Sequence, residues 1–219
     1  MPFLNPALVL IALTAGISMY AWSNHKLMAS WIFSPYLVRQ QRQWYRFLTS
    51  GFLHADLMHL LFNLFAFYSF SPVVLREYVG YYGLGSGIGC FLLLYLGGII
   101  GSDIPTFLRH RHDPKYRSLG ASGGVSSVVF ASVLLFPVAP RGGGIYIFPL
   151  PPSITIQPFV FGMLYLAYSY YMSRRQADNI NHDAHFYGAL YGVVLSLALM
   201  PSSALAFWQQ VQNYLHNIL

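Results

Sequence analysis

The sequence predicts an all-α polytopic membrane protein, a bundle of six transmembrane helices with a long membrane-associated first loop. Three observations lead there. Of the 219 residues, 56% are hydrophobic and 8% charged, where a soluble domain carries about 25% charged residues. The charges cluster, leaving stretches free of Asp, Glu, Lys and Arg at 1–25, 57–75, 78–102, 118–140, 142–173 and 184–219. Each can hold the roughly 20 apolar residues of one spanning helix. Finally, runs such as Phe91-Leu92-Leu93-Leu94-Tyr95-Leu96 do not alternate as the strands of a membrane barrel must, whereas a helix satisfies its own backbone groups in hydrocarbon. The alternative, a soluble all-α protein with a large core, fits the low charge poorly.

The expected helices are about 6–23, 53–75, 82–104, 119–138, 155–173 and 183–200, forming one domain over residues 1–200. The first apolar segment has no basic leading region and no small-residue cleavage site, so it is expected to be a span and not a removed signal peptide. The connection over 24–52 is long and carries Trp31, Phe33, Tyr36, Trp44, Tyr45 and Phe47; such a loop is functional or rests on the membrane surface. The second and fourth connections are short, and Gly142-Gly143-Gly144 and Pro151-Pro152 mark turns in the fourth. In the tail, 201–219, Leu205, Trp208, Val211, Leu215 and Ile218 recur at roughly helical spacing. That pattern suits an interfacial amphipathic helix, with a disordered tail as the alternative.

The net charge is +6. In a soluble protein this would suggest nucleic acid. Here it points to lipid headgroups and to topology, so membrane lipids are an expected partner and nucleic acid is not. The single cysteine, Cys90, excludes an intrachain disulfide.

Three motifs can carry chemistry. In Gly120-Ala121-Ser122-Gly123-Gly124, Ser122 begins a charge-free segment, so it belongs near the first turn of a helix, where unpaired N–H groups can stabilise an oxyanion. In Ala184-His185-Phe186-Tyr187-Gly188, His185 can act as a general base. It lies beside the four-residue stripe Ala184, Gly188, Gly192 and Ser196, a smooth face for a neighbouring helix. His59 and Asn63 stand four apart on one helix, and both can donate to an oxyanion. Taken singly, each motif also reads as small-residue packing or an interhelical hydrogen bond. A metal site is a further reading, from His54, His59, His182, His185, Asp56 and Asp183, but no His-Glu-x-x-His run is present.

The three motifs in this order resemble the rhomboid family of intramembrane serine proteases. The resemblance extends to Gln43-Trp44-Tyr45-Arg46-Phe47-Leu48-Thr49-Ser50 and His54, and covers about residues 8–200. It implies a serine endopeptidase that cleaves transmembrane segments of other proteins, with Ser122 as nucleophile and His185 as base. His59, Asn63 and the Ser122 backbone would hold the oxyanion. Arg46 would shape the first loop, His54 would be structural, and no cofactor or metal would be needed. A rhomboid-like client-binding protein without proteolysis is the alternative. Asp183, two residues from His185, faces elsewhere on the helix and is given no catalytic role. Where the family usually carries an aromatic against the histidine, four residues after the nucleophile, this chain has Ser126; Phe130 or Phe186 is expected to hold the ring instead.

The expected location is a multi-pass protein of a bacterial plasma membrane. Ten of the 12 Lys and Arg fall in the first, third and fifth connections, which the positive-inside rule places in the cytoplasm. The resemblance implies the opposite orientation for that face, and the expectation follows the resemblance.

Overall fold

The computed structural model describes residues 5–140, 143–146, 151, 154–175 and 181–218. The turn signals Gly142 and Pro152 lie outside them. Among the described residues the only strands are one two-residue antiparallel pair, Ile145–Tyr146 (β1) with Thr155–Ile156 (β2), in the fourth connection, and the other regular elements are helices.

Helix α1, Pro6–Ser23, starts where Asn5 accepts from the Ala7 N–H at 3.0 Å and Pro6 opens the first turn. The first connection is not a loop. It folds into α2 (His25–Trp31), α3 (Pro35–Gln41), α4 (Arg46–Thr49) and a 3₁₀ turn, Ser50–Phe52. Asn24 caps α2 by accepting from Leu27 N–H, and Ser34 caps α3 ahead of Pro35. Its aromatics divide. Phe33 and Phe47 are buried and pack with Phe107 of the later helix α6 (Leu84–His110), while Trp44 and Tyr45 stay exposed.

Arg46 fixes this layer. It is 4% exposed and donates to Gln43 Oε1 (2.6 Å), Ala29 O (2.9 Å) and Ile32 O (2.6 Å). The last two carbonyls belong to the end of α2, where helix geometry leaves acceptors unpaired. Arg46→Ala is expected to destabilise the protein by about 3 kcal/mol or more, because each buried acceptor left alone costs about 1–3 kcal/mol. Arg46→Lys should restore little of this, since an ammonium lacks the planar fork. Thermal unfolding in detergent measures both.

Helix α5, Leu57–Tyr82, begins four residues later than the sequence suggests, because Asp56 caps it by accepting from His59 N–H at 2.8 Å. It ends at Gly83, whose φ of 78° lets α6 follow directly. A side chain on Gly87 would strike the Tyr78 and Val79 backbone, so the two helices meet closely there. α6 runs past Asp103 to His110, because Asp103 is buried in the bundle instead of ending the helix at its surface.

Helix α7, Ser122–Leu135, is the innermost element: every residue from Gly123 to Leu134 is buried. At 1.5 Å per residue it is about 21 Å long, and its neighbours cover it on all sides. Helices α8 (Pro158–Arg175), α9 (His182–Leu199) and α10 (Ser202–Ile218) complete the chain.

Among the described residues, α1, α5 and α6 are long and apolar enough to cross a membrane, and a fourth span results if α9 and α10, which meet at 111°, are taken together. Polarity is distributed as a bilayer requires. Small polar residues such as Thr14, Ser18, Ser71 and Ser196 are inside, while Leu13, Phe62, Phe65 and Val194 face outward. Without a hydrophobic drive between helices, association depends on close packing and interhelical hydrogen bonds.

Candidate active site

Small residues let the central helices touch. The stripe predicted on α9 is buried throughout. A Cβ on Gly188 would collide with the Gly123 carbonyl, and one on Gly192 with the Ser127 carbonyl, so the backbones of α7 and α9 are in contact. Ser196 meets Tyr78 of α5 through a 2.8 Å hydroxyl pair. On the other side of α7, Gly124 lies against the Tyr95 carbonyl of α6, and Ser127 Oγ donates toward Leu94 O at 2.8 Å.

Ser122 opens α7. No side chain caps this helix, so the backbone N–H groups of its first turn stay available at the end where Ser122 sits. The preceding loop is pinned by backbone bonds to the first connection: Phe33 and Ser118 exchange N–H···O bonds at 3.0 and 3.2 Å, and Gly120 N–H donates to Ser50 O at 3.0 Å. Gly120 has φ 127°, and a Cβ there would lie 2.9 Å from the His59 ring. Glycine is therefore required twice over, and it brings His59 beside the loop that carries Ser122. One hydrogen of the Asn63 amide goes to His59 O at 2.9 Å, leaving the second for another acceptor.

His54 lies just before α5 and is fully buried. Burial, with His59 alongside, pushes its pKa down to about 3 against a weaker pull from Asp56. The ring is therefore neutral. Ala121 N–H donates to Nε2 at 3.3 Å, so Nδ1 carries the proton and donates to Ser18 Oγ at 2.9 Å; Ser18 in turn donates to Phe52 O at 2.8 Å. Trp22 Nε1–H adds a bond to His54 O. The chain thus links α1, the start of α5 and the Ser122 loop, in keeping with the structural part expected of His54. Because the folded pKa lies below the ordinary 6.5, the unfolded chain takes up the proton first as pH falls. The stability that His54 contributes is complete above about pH 6.5 and is lost progressively toward pH 3. The melting temperature should fall over that window, and the fall should flatten in His54→Phe.

His185 stands in the first turn of α9. The ring stacked on it is Tyr165 of α8, with centroids 6.2 Å apart and planes at 16°. This replaces the expected Phe130 or Phe186: Phe130 backs Tyr165 at 5.5 Å, and Phe186 packs on Tyr170 and Tyr187. Ser126, at the position noted above, hydrogen-bonds the Tyr165 hydroxyl at 3.1 Å. Asp183 is 6% exposed and accepts from Arg109 of α6 and Ser173 of α8, tying three helices together beside His185. Neither Tyr165 nor the Asp183 clamp was visible in the motifs.

A polar cavity opens beside Ser122, lined by Ser50, Ser102, Asp103, Ser118, Gly120 and Asn181, with Ile99 and Leu119 as apolar walls. Among the described residues, no three His, Cys, Asp or Glu side chains cluster as a metal site would need.

Comparison with known proteins agrees with the geometry. A profile of the rhomboid domain matches residues 41–202. The chain is 30% identical over 194 residues to "Rhomboid-like protein 11, chloroplastic" of Arabidopsis thaliana, covering 84% of this chain and 63% of that protein. It is 33% identical over 155 residues to "Putative rhomboid protease YdcA" of Bacillus subtilis (strain 168), covering 70% and 66%, and 30% identical over 171 residues to "Rhomboid protease GluP" of the same organism, covering 78% and 29%. The chain therefore spans about two thirds of the first two relatives and less of the third. The match runs from the Arg46 layer through His59, the Ser122 loop and His185, and this integral membrane chain belongs to the rhomboid family.

Proposed function

We propose that the protein is an intramembrane serine endopeptidase that cleaves transmembrane segments of other membrane proteins. The observation that carries this reading is the backbone contact of Gly123 with Gly188, which sets the turn bearing Ser122 against the turn bearing His185. In this reading α1, α5, α6, α7, α8 and α9 are six spans forming one domain over residues 1–200. α10 leaves α9 at 111° with Leu205, Trp208 and Leu215 exposed, a geometry that lays its apolar side in the membrane interface.

His185 takes the Ser122 hydroxyl proton as Oγ attacks the scissile carbonyl. The oxyanion is held by His59, the free Asn63 amide hydrogen and the Ser122 N–H. His185 then gives its proton to the departing amine, leaving an acyl-enzyme. Water, deprotonated by the same imidazole, releases the acid and restores Ser122. No carboxylate assists, since Asp183 is committed to Arg109 and Ser173. The substrate helix must unwind locally, because helical carbonyls are already hydrogen-bonded.

A fluorophosphonate probe tests this directly. It should label the folded wild type and not Ser122→Ala; failure to label folded wild type would leave the client-binding alternative. Asn63→Ala is expected to lower kcat about 10²–10³-fold with little change in KM, the loss of one oxyanion donor. Steady-state cleavage in detergent reads this.

A further inference from the structure

Asp103 has no part in the dyad, the oxyanion donors or the clamp. It lies on α6 and is 8% exposed, so more than nine-tenths of it is buried. Among the described residues no hydrogen bond or ion pair reaches its carboxyl group, and its oxygens are not among the fully enclosed polar atoms without a partner, so they keep access to open space. It is also the one acidic side chain among the residues lining the cavity beside Ser122. A buried carboxyl without a partner is costly, and in a bilayer such a group calls for a function. The cavity has room for about one water molecule.

The residue whose carbonyl Ser122 attacks carries its side chain one atom from the reacting carbon. This cavity, lined by both Ser122 and Asp103, is a space beside Ser122 that such a side chain can enter. A small side chain bearing an O–H or N–H that enters it can donate to Asp103. A small apolar side chain leaves the carboxyl without a donor. Long basic side chains exceed the space. Sites built to hydrogen-bond a substrate group discriminate against analogues lacking it far more sharply than apolar pockets discriminate by size.

We propose that Asp103 determines specificity: beside Ser122 it selects a small hydrogen-bond-donating residue, serine foremost, on the N-terminal side of the scissile bond. This rests on the protease reading above.

The test uses the full chain in detergent and peptides differing only at that residue: serine, its apolar isostere 2-aminobutyrate, or alanine. Pairs compete in one mixture, so the kcat/KM ratio cancels any general loss of activity. Wild type is expected to favour serine over 2-aminobutyrate by about tenfold or more. Asp103→Leu should bring the ratio to unity or below, and Asp103→Asn, which keeps an acceptor oxygen, should retain part of the preference. A wild-type ratio near one, or a ratio the same in wild type and variants, overturns the proposal. Should Asp103→Leu fail to fold, Asp103→Asn and the wild-type ratio decide it. Failure of the protease reading looks different: no peptide is cut and the phosphonate does not label Ser122.

Discussion

A single methyl group on Gly188 is expected to lower turnover about 100-fold or more and to destabilise the bundle by about 1–3 kcal/mol. The Cβ of Gly188→Ala would overlap the Gly123 carbonyl and lie 2.9 Å from Gly123 Cα. These are backbone atoms one residue from Ser122, so no rotamer change relieves the clash. The helices must separate, and in the proposed dyad separation carries His185 away from Ser122. A displacement of about 1 Å at a reacting pair costs about 10² in rate. Gly188→Val should abolish turnover. Gly16 of α1 supplies the contrast: nothing stands within 4 Å of a Cβ there, and Gly16→Ala should leave turnover unchanged while gaining up to about 1 kcal/mol of helix stability. Cleavage rates and thermal melts of the three variants separate close approach from a general intolerance of change at glycine. If Gly188→Ala cleaves at the wild-type rate, the contact of α7 with α9 does not set the site.

The α9 side of that contact is legible in the sequence because it depends on spacing along one helix, whereas the partner helix is not. Ala184, Gly188, Gly192 and Ser196 fall on one face by arithmetic alone, and so do His59 and Asn63. α1 is legible from its charge-free apolar stretch, and expected and observed bounds agree; the Asn5 cap and Pro6 fix its start locally. Where local signals compete with burial, the reading slips. The charge pattern predicts a helix end near residue 104, yet Asp103 is interior and α6 continues to His110. α7 starts later than its charge-free segment because Gly120, at φ 127°, and the Ser118 bridge hold the preceding residues in a loop. The short helices of the first connection are too brief to show a helical period, and they exist through tertiary bonds from Arg46 and Thr49 to the end of α2. Tyr165 was out of reach for a related reason. It meets Ser126 across 39 residues, and nothing in the pattern of α8 sets it apart from Tyr168, Tyr170 or Tyr171 before the helices are packed.

His185→Ala is expected to lower turnover about 10⁴-fold, the upper range for loss of a general acid–base, while KM changes little. Tyr165 should show itself through the same group. Its ring lies nearly parallel to the imidazole, and Ser126 anchors the ring through its hydroxyl. Tyr165→Phe keeps the stacking and loses only that bond, so activity should fall no more than a few-fold. Tyr165→Ala removes the stacked ring, leaving the edge contact with His182, and should cost about 10–10² in kcat. The double variant decides what Tyr165 does. If it acts by orienting the base, then in the His185→Ala background Tyr165→Ala costs nothing more, because the group it positions is gone. If it only supports the fold, the two losses multiply. Additive free energies in that cycle would remove Tyr165 from the site and return Ser126 to being an unfilled gap beside His185. Strong coupling would mean that an aromatic on the neighbouring helix, held by a serine, performs the work of the aromatic that the family usually places four residues after its nucleophile.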